Sequence, residues 1–271
     1  MENERNRFSY SDLFLYKWCP RNYKYTRVAK YQPEYPKNIS TIVGRASHRV
    51  IEAMYLSEDF SCDFLLTNWP SIYQEELALE KYKFATPELA KRWDRIGCNI
   101  LRKFHEMAKV EGILIRPVGV EWKFKLPVEA VSGRQFLIVG VVDLIVRPFS
   151  RGGDLRIIDT KTGSYQVTDQ ELKTNDQLTI YSLAVRQIMK EVETRVGFFY
   201  PRYGSVRWST RSDIDHRQII EVIDQTWQSI EQKKFDPTYN KCNMCSHRKR
   251  CAAEDWAKET GLPLGWAFPR S

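Results

Sequence analysis

The sequence predicts an α/β fold in which a mixed central sheet is flanked by helices, with a helical lobe inserted ahead of the sheet. Three observations carry this. Up to about residue 112 the apolar residues recur at helical spacing, whereas 118–126 and 135–147 alternate or run apolar and are joined through Val131-Ser132-Gly133, as in a hairpin. Beyond them a short strand at 155–160, a helix at 169–189, strands at 195–200 and 205–210 around a Pro-Arg-Tyr-Gly turn, and an amphipathic helix at 214–232 complete the order of a mixed sheet packed by helices. The 271 residues are 42% hydrophobic and 13% aromatic, and no Pro-, Gly- or Ser-rich linker interrupts them. A chain of this size can bury roughly 70–75% of its unfolded surface. One domain over 1–271 is expected, with a helical lobe at about 60–112 and a sheet-and-helix region at 113–211.

Taken in order, 10–25 has helical character through Leu13, Phe14 and Trp18, with Ser9 or Ser11 as N-cap. A second helix starts near Ser40 or Thr41 and carries Ile42, Val43, Ala46, Val50, Ala53 and Met54, with Gly44 inside it. Residues 63–110 are helical in pattern, punctuated by Pro70 and Pro87. The longest apolar run, 136–146, contains Asp143 and falls far short of the ~20 residues a membrane span needs. The charged N-terminus has no apolar leader stretch, so a cytoplasmic protein is expected.

Forty-two Lys and Arg against 34 Asp and Glu give a net charge of +8, which favours a polyanionic partner. Lys17, Arg21, Lys24, Arg27 and Lys30 are interleaved with Tyr16, Trp18, Tyr23 and Tyr25, and His247 to Arg250 form a second basic cluster. Ammonium and guanidinium groups neutralise phosphates while aromatic faces stack on unpaired bases, a mixture suited to single strands or DNA ends. The other reading is a solvated helix face with its aromatic residues in the core.

Cys62 and Cys98 are isolated in helical segments and read as small buried hydrophobes. Cys242, Cys245 and Cys251 follow C-x2-C-x5-C in an irregular basic segment, and thiols this close point to metal ligation. Cys19, which precedes Pro20 at a helix end, is the fourth ligand in one reading; His247 is in the other. Four such ligands suit either a zinc ion or a [4Fe-4S] cluster.

Asp143 places a carboxylate inside Phe136-Leu-Ile-Val-Gly-Val-Val-Asp-Leu-Ile-Val. A charge within a buried strand costs several kcal/mol unless it is paired or binds metal, so a partner is required. The next strand supplies Asp159-Thr160-Lys161, whose carboxylate and ammonium share one side. Two carboxylates and a lysine at one sheet edge can bind a divalent cation and set a positive donor beside a water or a scissile phosphate. His48 fits the site because Gly44, one turn earlier, allows its helix to approach the sheet; Glu121, on the first strand, could bind the metal directly or through water.

In order and spacing, Gly44-x3-His48, Gly140-Val-Val-Asp143, Asp159-Thr-Lys161-Thr-Gly163 and Gln177-x3-Tyr181 resemble the RecB-like branch of the PD-(D/E)xK nucleases. Ser9-Tyr-Ser11, Cys19-Pro20 and the final C-x2-C-x5-C are similar to its iron–sulfur subgroup, which includes the AddB nuclease domain and the CRISPR-associated "Cas-four" exonucleases. The resemblance spans about 9–251 and implies a restriction-endonuclease-like sheet. It further implies that His48, Asp143, Asp159 and the Thr160 carbonyl hold Mg²⁺ or Mn²⁺ and that Lys161 orients the attacking water. Gln177 and Tyr181 would contact the strand near the site, and Glu121 matches an acidic strand residue more loosely. Cys19, Cys242, Cys245 and Cys251 would ligate [4Fe-4S] in preference to zinc, in a cluster region formed by 9–30 and 240–256. Asp159 stands where many members carry Glu.

The expected function is a metal-dependent DNA exonuclease acting on single strands or ends, in recombination, repair, phage DNA processing or CRISPR adaptation, with Arg21 and Lys24 also contacting DNA. The chain lacks a G-x4-G-K-[ST] motif, so unwinding would come from a helicase, recombinase or CRISPR integrase partner. The alternatives are a DNA-end-binding scaffold subunit with little activity and a zinc-stabilised RNA-binding protein.

Overall fold

The computed structural model describes residues 6–34, 38–148 and 154–261, and the chain divides into two compact units. The larger comprises residues 1–7 and 37–220; the smaller combines 8–36 with 221–271. Most of the charged stretch at 1–7 lies outside the described residues.

In the larger unit, α3 (Ile39–Ser57) begins at the N-cap Asn38, whose side chain accepts from the Thr41 N–H, one position earlier than the serine and threonine the sequence suggests. Its apolar stripe, including Ile42, Val43, Ala46, Val50 and Met54, is buried. Gly44 allows the approach expected of it: a Cβ there would lie 2.6 Å from the Thr162 Oγ1. The lobe is a pair of long helices, α4 (Cys62–Leu79) and α5 (Pro87–Val110). Pro87 starts α5 as expected, with Thr86 capping it. Pro70, however, lies inside α4 rather than ending it. An interior proline costs about 3 kcal/mol, and burial of Leu65, Trp69, Tyr73 and Leu77 along the same helix outweighs it. Cys62 and Cys98 are half-buried, not fully buried as their neighbours suggest, because they sit at the edges of these helix faces.

The sheet follows. β2 (Gly119–Glu129) pairs antiparallel with β3 (Gln135–Val146), β3 with β4 (Arg156–Thr160), and β5 (Arg195–Tyr200) with β6 (Ser205–Ser209), whereas β4 and β5 are parallel. The crossover between the parallel pair contains α6 (Asp169–Lys173) and α7 (Asp176–Ala184), as parallel neighbours require. The expected 169–189 helix is thus broken at Thr174, where Asn175 caps α7, and it ends in a π turn at Val185–Met189.

The division between units falls within β1 (Arg7–Ser9), which leads into α1 (Tyr10–Trp18) of the smaller unit, where Ser9 forms a capping box with Asp12. Cys19, with extended backbone, ends α1, in keeping with its expected place before Pro20 at a helix end, and helix resumes at Pro20 as the short α2 (Pro20–Tyr23), so 10–25 is helical in two pieces. The C-terminal half supplies α9 (Arg248–Thr260); α8 (Asp213–Glu231) contains the division between units. The two sequence ends meet within this unit: the Tyr16 hydroxyl donates to the Lys234 carbonyl, Thr238 Oγ1 to the Trp18 carbonyl, and the Lys249 and Arg250 N–H groups to the Glu34 carboxylate. Tyr23 and Tyr25 are buried, so of the two readings of the basic–aromatic stretch, the core placement holds for these rings.

The lobe core depends on one glycine. A Cβ on Gly97 would lie 1.9 Å from the Trp69 ring, and that ring stacks on Tyr73 at 4.6 Å. Gly97→Ala must displace the indole, and overpacking of this kind costs about 1–3 kcal/mol. Urea unfolding should show the midpoint fall with the slope unchanged.

Candidate functional site

The register of the sheet sets the site. Continuing the β2–β3 and β3–β4 pairings by one step puts Glu121, Asp143 and Asp159 in one row across three adjacent strands. The row continues through Phe198, which pairs with Asp159. At the acidic positions the ladder opens: Glu121 and Asp143 are skipped between bonded neighbours, and the β3–β4 pairing stops at Leu144 and Ile158. Glu121 has φ of 43°, a left-handed conformation inside a strand, whereas the other described non-glycine residues with positive φ fall at or just beyond helix ends. A non-glycine residue held there costs of order 1–3 kcal/mol and marks a functional constraint.

Asp143 obtains the partners its burial requires. Its Oδ2 accepts the Thr160 N–H at 2.8 Å and faces His48 Nδ1 at 3.4 Å. Burial and the neighbouring Asp159 charge still push its carboxyl up to about 7, against the opposing effects of His48, the Thr160 N–H and Lys161. Burial also raises the Glu121 carboxyl, with His48 opposing. The site therefore carries more negative charge than its own groups neutralise. His48, Glu121 and Asp143 offer ligand atoms that all lie within 4.8 Å of one another. One imidazole and two carboxylates are a donor set that fits Mg²⁺ or Mn²⁺.

Asp159 stands outside that group. Its Oδ2 pairs with Lys161 Nζ at 2.7 Å and its Oδ1 accepts from Gln177 Nε2 at 2.7 Å. Gln177 also accepts from Lys161 Nζ at 2.8 Å and donates to the Tyr181 hydroxyl at 2.8 Å. The ammonium lies 5.0 Å from the centre of the Phe198 ring, in the same sheet row. Gln177 and Tyr181 are buried, so they brace Asp159 and Lys161 from α7 in this arrangement. This bracing follows from i, i+4 spacing on a helix packed against β4, a signal the sequence contained but which reads equally as a strand contact. Thr160 enters the site through its backbone N–H.

In the smaller unit, Cys19, Cys242, Cys245 and Cys251 line one cavity of about 160 Å³. All four are free, and the described residues include no group of three sulfurs as compact as the His48, Glu121 and Asp143 ligand atoms. Cys251 Sγ accepts from Arg21 Nη1 at 3.6 Å and Cys245 Sγ from the His247 N–H at 3.5 Å. Arg21 also pairs with Asp255, and Lys24 lies 3.9 Å from Glu254. His247 does not line the cavity; its ring packs edge-on against Tyr25 at 5.6 Å, with Nε2 3.4 Å from Thr26 Oγ1.

A row of acids with a lysine, on a mixed sheet flanked by helices, is an arrangement suited to metal-assisted hydrolysis. The chain belongs to the PD-(D/E)XK nuclease superfamily, whose family model matches residues 7–252. That membership implies a nucleic acid substrate and is compatible with a divalent metal at His48, Glu121 and Asp143. No curated protein matches the chain. Among solved structures, SSO0001 is similar at 13% identity, covering 89% of this chain and 84% of that one with a TM-score of 0.41. No helix among the described residues is long and apolar enough to cross a membrane.

The raised Asp143 carboxyl gives a pH dependence. Its folded value near 7 exceeds an ordinary carboxylate's, so the metal-free protein gains stability from this proton at low pH and loses it as pH rises through about 7. A divalent ion binds the deprotonated site. Mg²⁺ should therefore raise Tm more at pH 8 than at pH 5.5, a difference that scanning calorimetry reads directly and that Asp143→Asn should remove.

Proposed function

We propose that the protein is a metal-dependent deoxyribonuclease acting as an exonuclease on single-stranded DNA or DNA ends. The observation that carries this reading is the acidic row of Glu121, Asp143 and Asp159 with His48 on one side and Lys161 on the other. His48, Asp143, Asp159 and the Thr160 carbonyl hold Mg²⁺ or Mn²⁺, with Glu121 as a further carboxylate ligand. When bound, the ion polarises a phosphate oxygen and lowers the pKa of its water. Asp143, fixed by the Thr160 N–H, keeps its carboxylate aimed at the ion. Lys161 orients the attacking water and stabilises charge developing on the phosphoryl oxygens. Gln177 holds the Lys161 ammonium and the Asp159 carboxylate at one spacing while the strand binds, and Tyr181 orients the Gln177 amide. Arg21 and Lys24 contribute to strand binding from the smaller unit.

Cys19, Cys242, Cys245 and Cys251 hold a [4Fe-4S] cluster that fastens the sequence ends together. The shared cavity and the donors directed at two of the sulfurs support this reading. Zinc fits less well, because Zn–S bonds of about 2.3 Å bring four sulfurs within roughly 3.8 Å of one another. The exclusion of His247 from the cavity lining favours Cys19 as fourth ligand.

With end-labelled single- and double-stranded DNA, Mg²⁺ or Mn²⁺ should support shortening from the ends and EDTA should stop it. Lys161→Ala should lower turnover at least about 100-fold while retaining strand affinity. Cleavage by that variant at the wild-type rate would remove Lys161 from the site, and tight binding by the wild type without cleavage would favour an end-binding scaffold. For anaerobically purified protein, Cys245→Ser should lose absorbance near ~400 nm and thermal stability together, as expected when a metal group is coupled to folding. Unchanged absorbance would exclude Cys245 as a ligand.

A further inference from the structure

Away from the acidic row, the larger unit holds a cavity of about 540 Å³ between α4 and α5 that the proposed hydrolysis does not use. Pockets that take small organic groups span roughly 300–1,000 Å³, which includes this one. Its floor is rigid. The Trp69 indole N–H donates to Asp94 Oδ1 at 2.8 Å, and Tyr73 stacks on the indole with an interplanar angle of 16°. Tyr73 lines the cavity, is 2% exposed, and its buried hydroxyl has no hydrogen-bond partner.

The rim differs from an ordinary core edge in two ways. Tyr82 and Phe84, on the connection between the helices, form an edge-to-face pair with centroids 5.2 Å apart, and both rings remain half-exposed. Lys81, Lys83 and Lys91 surround them, all exposed and in no ion pair among the described residues. The lining contains one carboxylate, Asp94, which is already engaged by the indole. Half-exposed aromatic faces ringed by ammonium groups suit a ligand with a flat base and an anionic backbone.

We propose that this cavity is a nucleotide subsite that seats one unpaired nucleotide of a single strand. The base packs against Tyr82 and Phe84, and the flanking phosphates meet Lys81, Lys83 and Lys91. The assignment rests on the reading of the protein as a nuclease of single strands, and it gives the lobe a part in gripping the strand away from the scissile bond.

The test measures binding of a fluorescent single-stranded oligonucleotide by anisotropy in EDTA, for wild type, Tyr82→Ala and the double variant Lys83→Glu/Lys91→Glu. Mn²⁺-dependent hydrolysis of bis(4-nitrophenyl) phosphate, too small to reach the lobe, is followed in parallel as a check on folding and on the catalytic site. Tyr82→Ala should weaken binding about tenfold. The double variant should weaken it further and flatten the plot of log affinity against log salt by about 1.4, the loss of two phosphate contacts. Hydrolysis of the small ester should be unchanged in both. Wild-type affinity in both variants would overturn the subsite while leaving the nuclease reading intact. Equally effective competition by a free deoxynucleoside monophosphate would overturn the seating of a strand. Absence of ester hydrolysis in the wild type, with binding still sensitive to these substitutions, would overturn the nuclease reading and leave the subsite standing.

Discussion

The larger unit is organised around one half-buried carboxylate. Asp143 sits in the middle of the longest apolar run of the chain, in a place where a charge is tolerated only if neighbouring elements bring it partners. β4 ends so that the Thr160 N–H points at it, and α3 approaches closely enough, through Gly44, for His48 to face it. The ladder opens beside it, and Glu121 adopts a left-handed backbone conformation. Each of these features is unfavourable or neutral for folding alone. Together they leave a concentration of carboxylates that a divalent cation would neutralise. Asp143→Ala is thus not a simple change in core volume, because it removes the partner of a backbone N–H as well as the charge the site is built around.

The second constraint is the bracing of Asp159 and Lys161. The two groups are in direct contact, with Lys161 Nζ 2.7 Å from Asp159 Oδ2, and Gln177 accepts from the ammonium and donates to the carboxylate, so one amide is tied to both members of the pair. The burial of α7 and the Tyr181 hydroxyl, which accepts from Gln177 Nε2, hold the amide in turn. Asp159, Gln177 and Tyr181 are buried and Lys161 is half-buried, so the pair is held by a polar network that lies largely out of solvent.

Much of this was legible in the amino-acid order, and the reasons are physical. Strand alternation and helical spacing report which face meets the core, so β2 to β6 and α3, α5 and α8 fall within a few residues of expectation. Asp143 stood out because a charge interrupts an apolar run, and Gly44 because glycine within a helix signals close approach. Pro70 misled because the helix is held by its buried neighbours and not by local propensity. The helix end at Cys19 was signalled by the Pro20 that follows it, but the resumption of helix immediately beyond was not. The Glu121 conformation and the role of Gln177 depend on what lies across the sheet, information that spacing along one chain does not contain. Tyr82 and Phe84 carry no sequence signal of their own, and only the assembled lobe shows them half-exposed beside a cavity.

The central claim is that His48, Glu121 and Asp143 form one cation site. Electron spin-echo spectroscopy of the protein loaded with a single equivalent of Mn²⁺, with nitrogen-15 in its histidines, tests it directly. A nitrogen coupling in the wild type that disappears in His48→Ala, together with weakened Mn²⁺ binding in Asp143→Asn, is the predicted result. A spectrum of fully hydrated Mn²⁺ in the wild type, or a coupling that survives loss of His48, would contradict it.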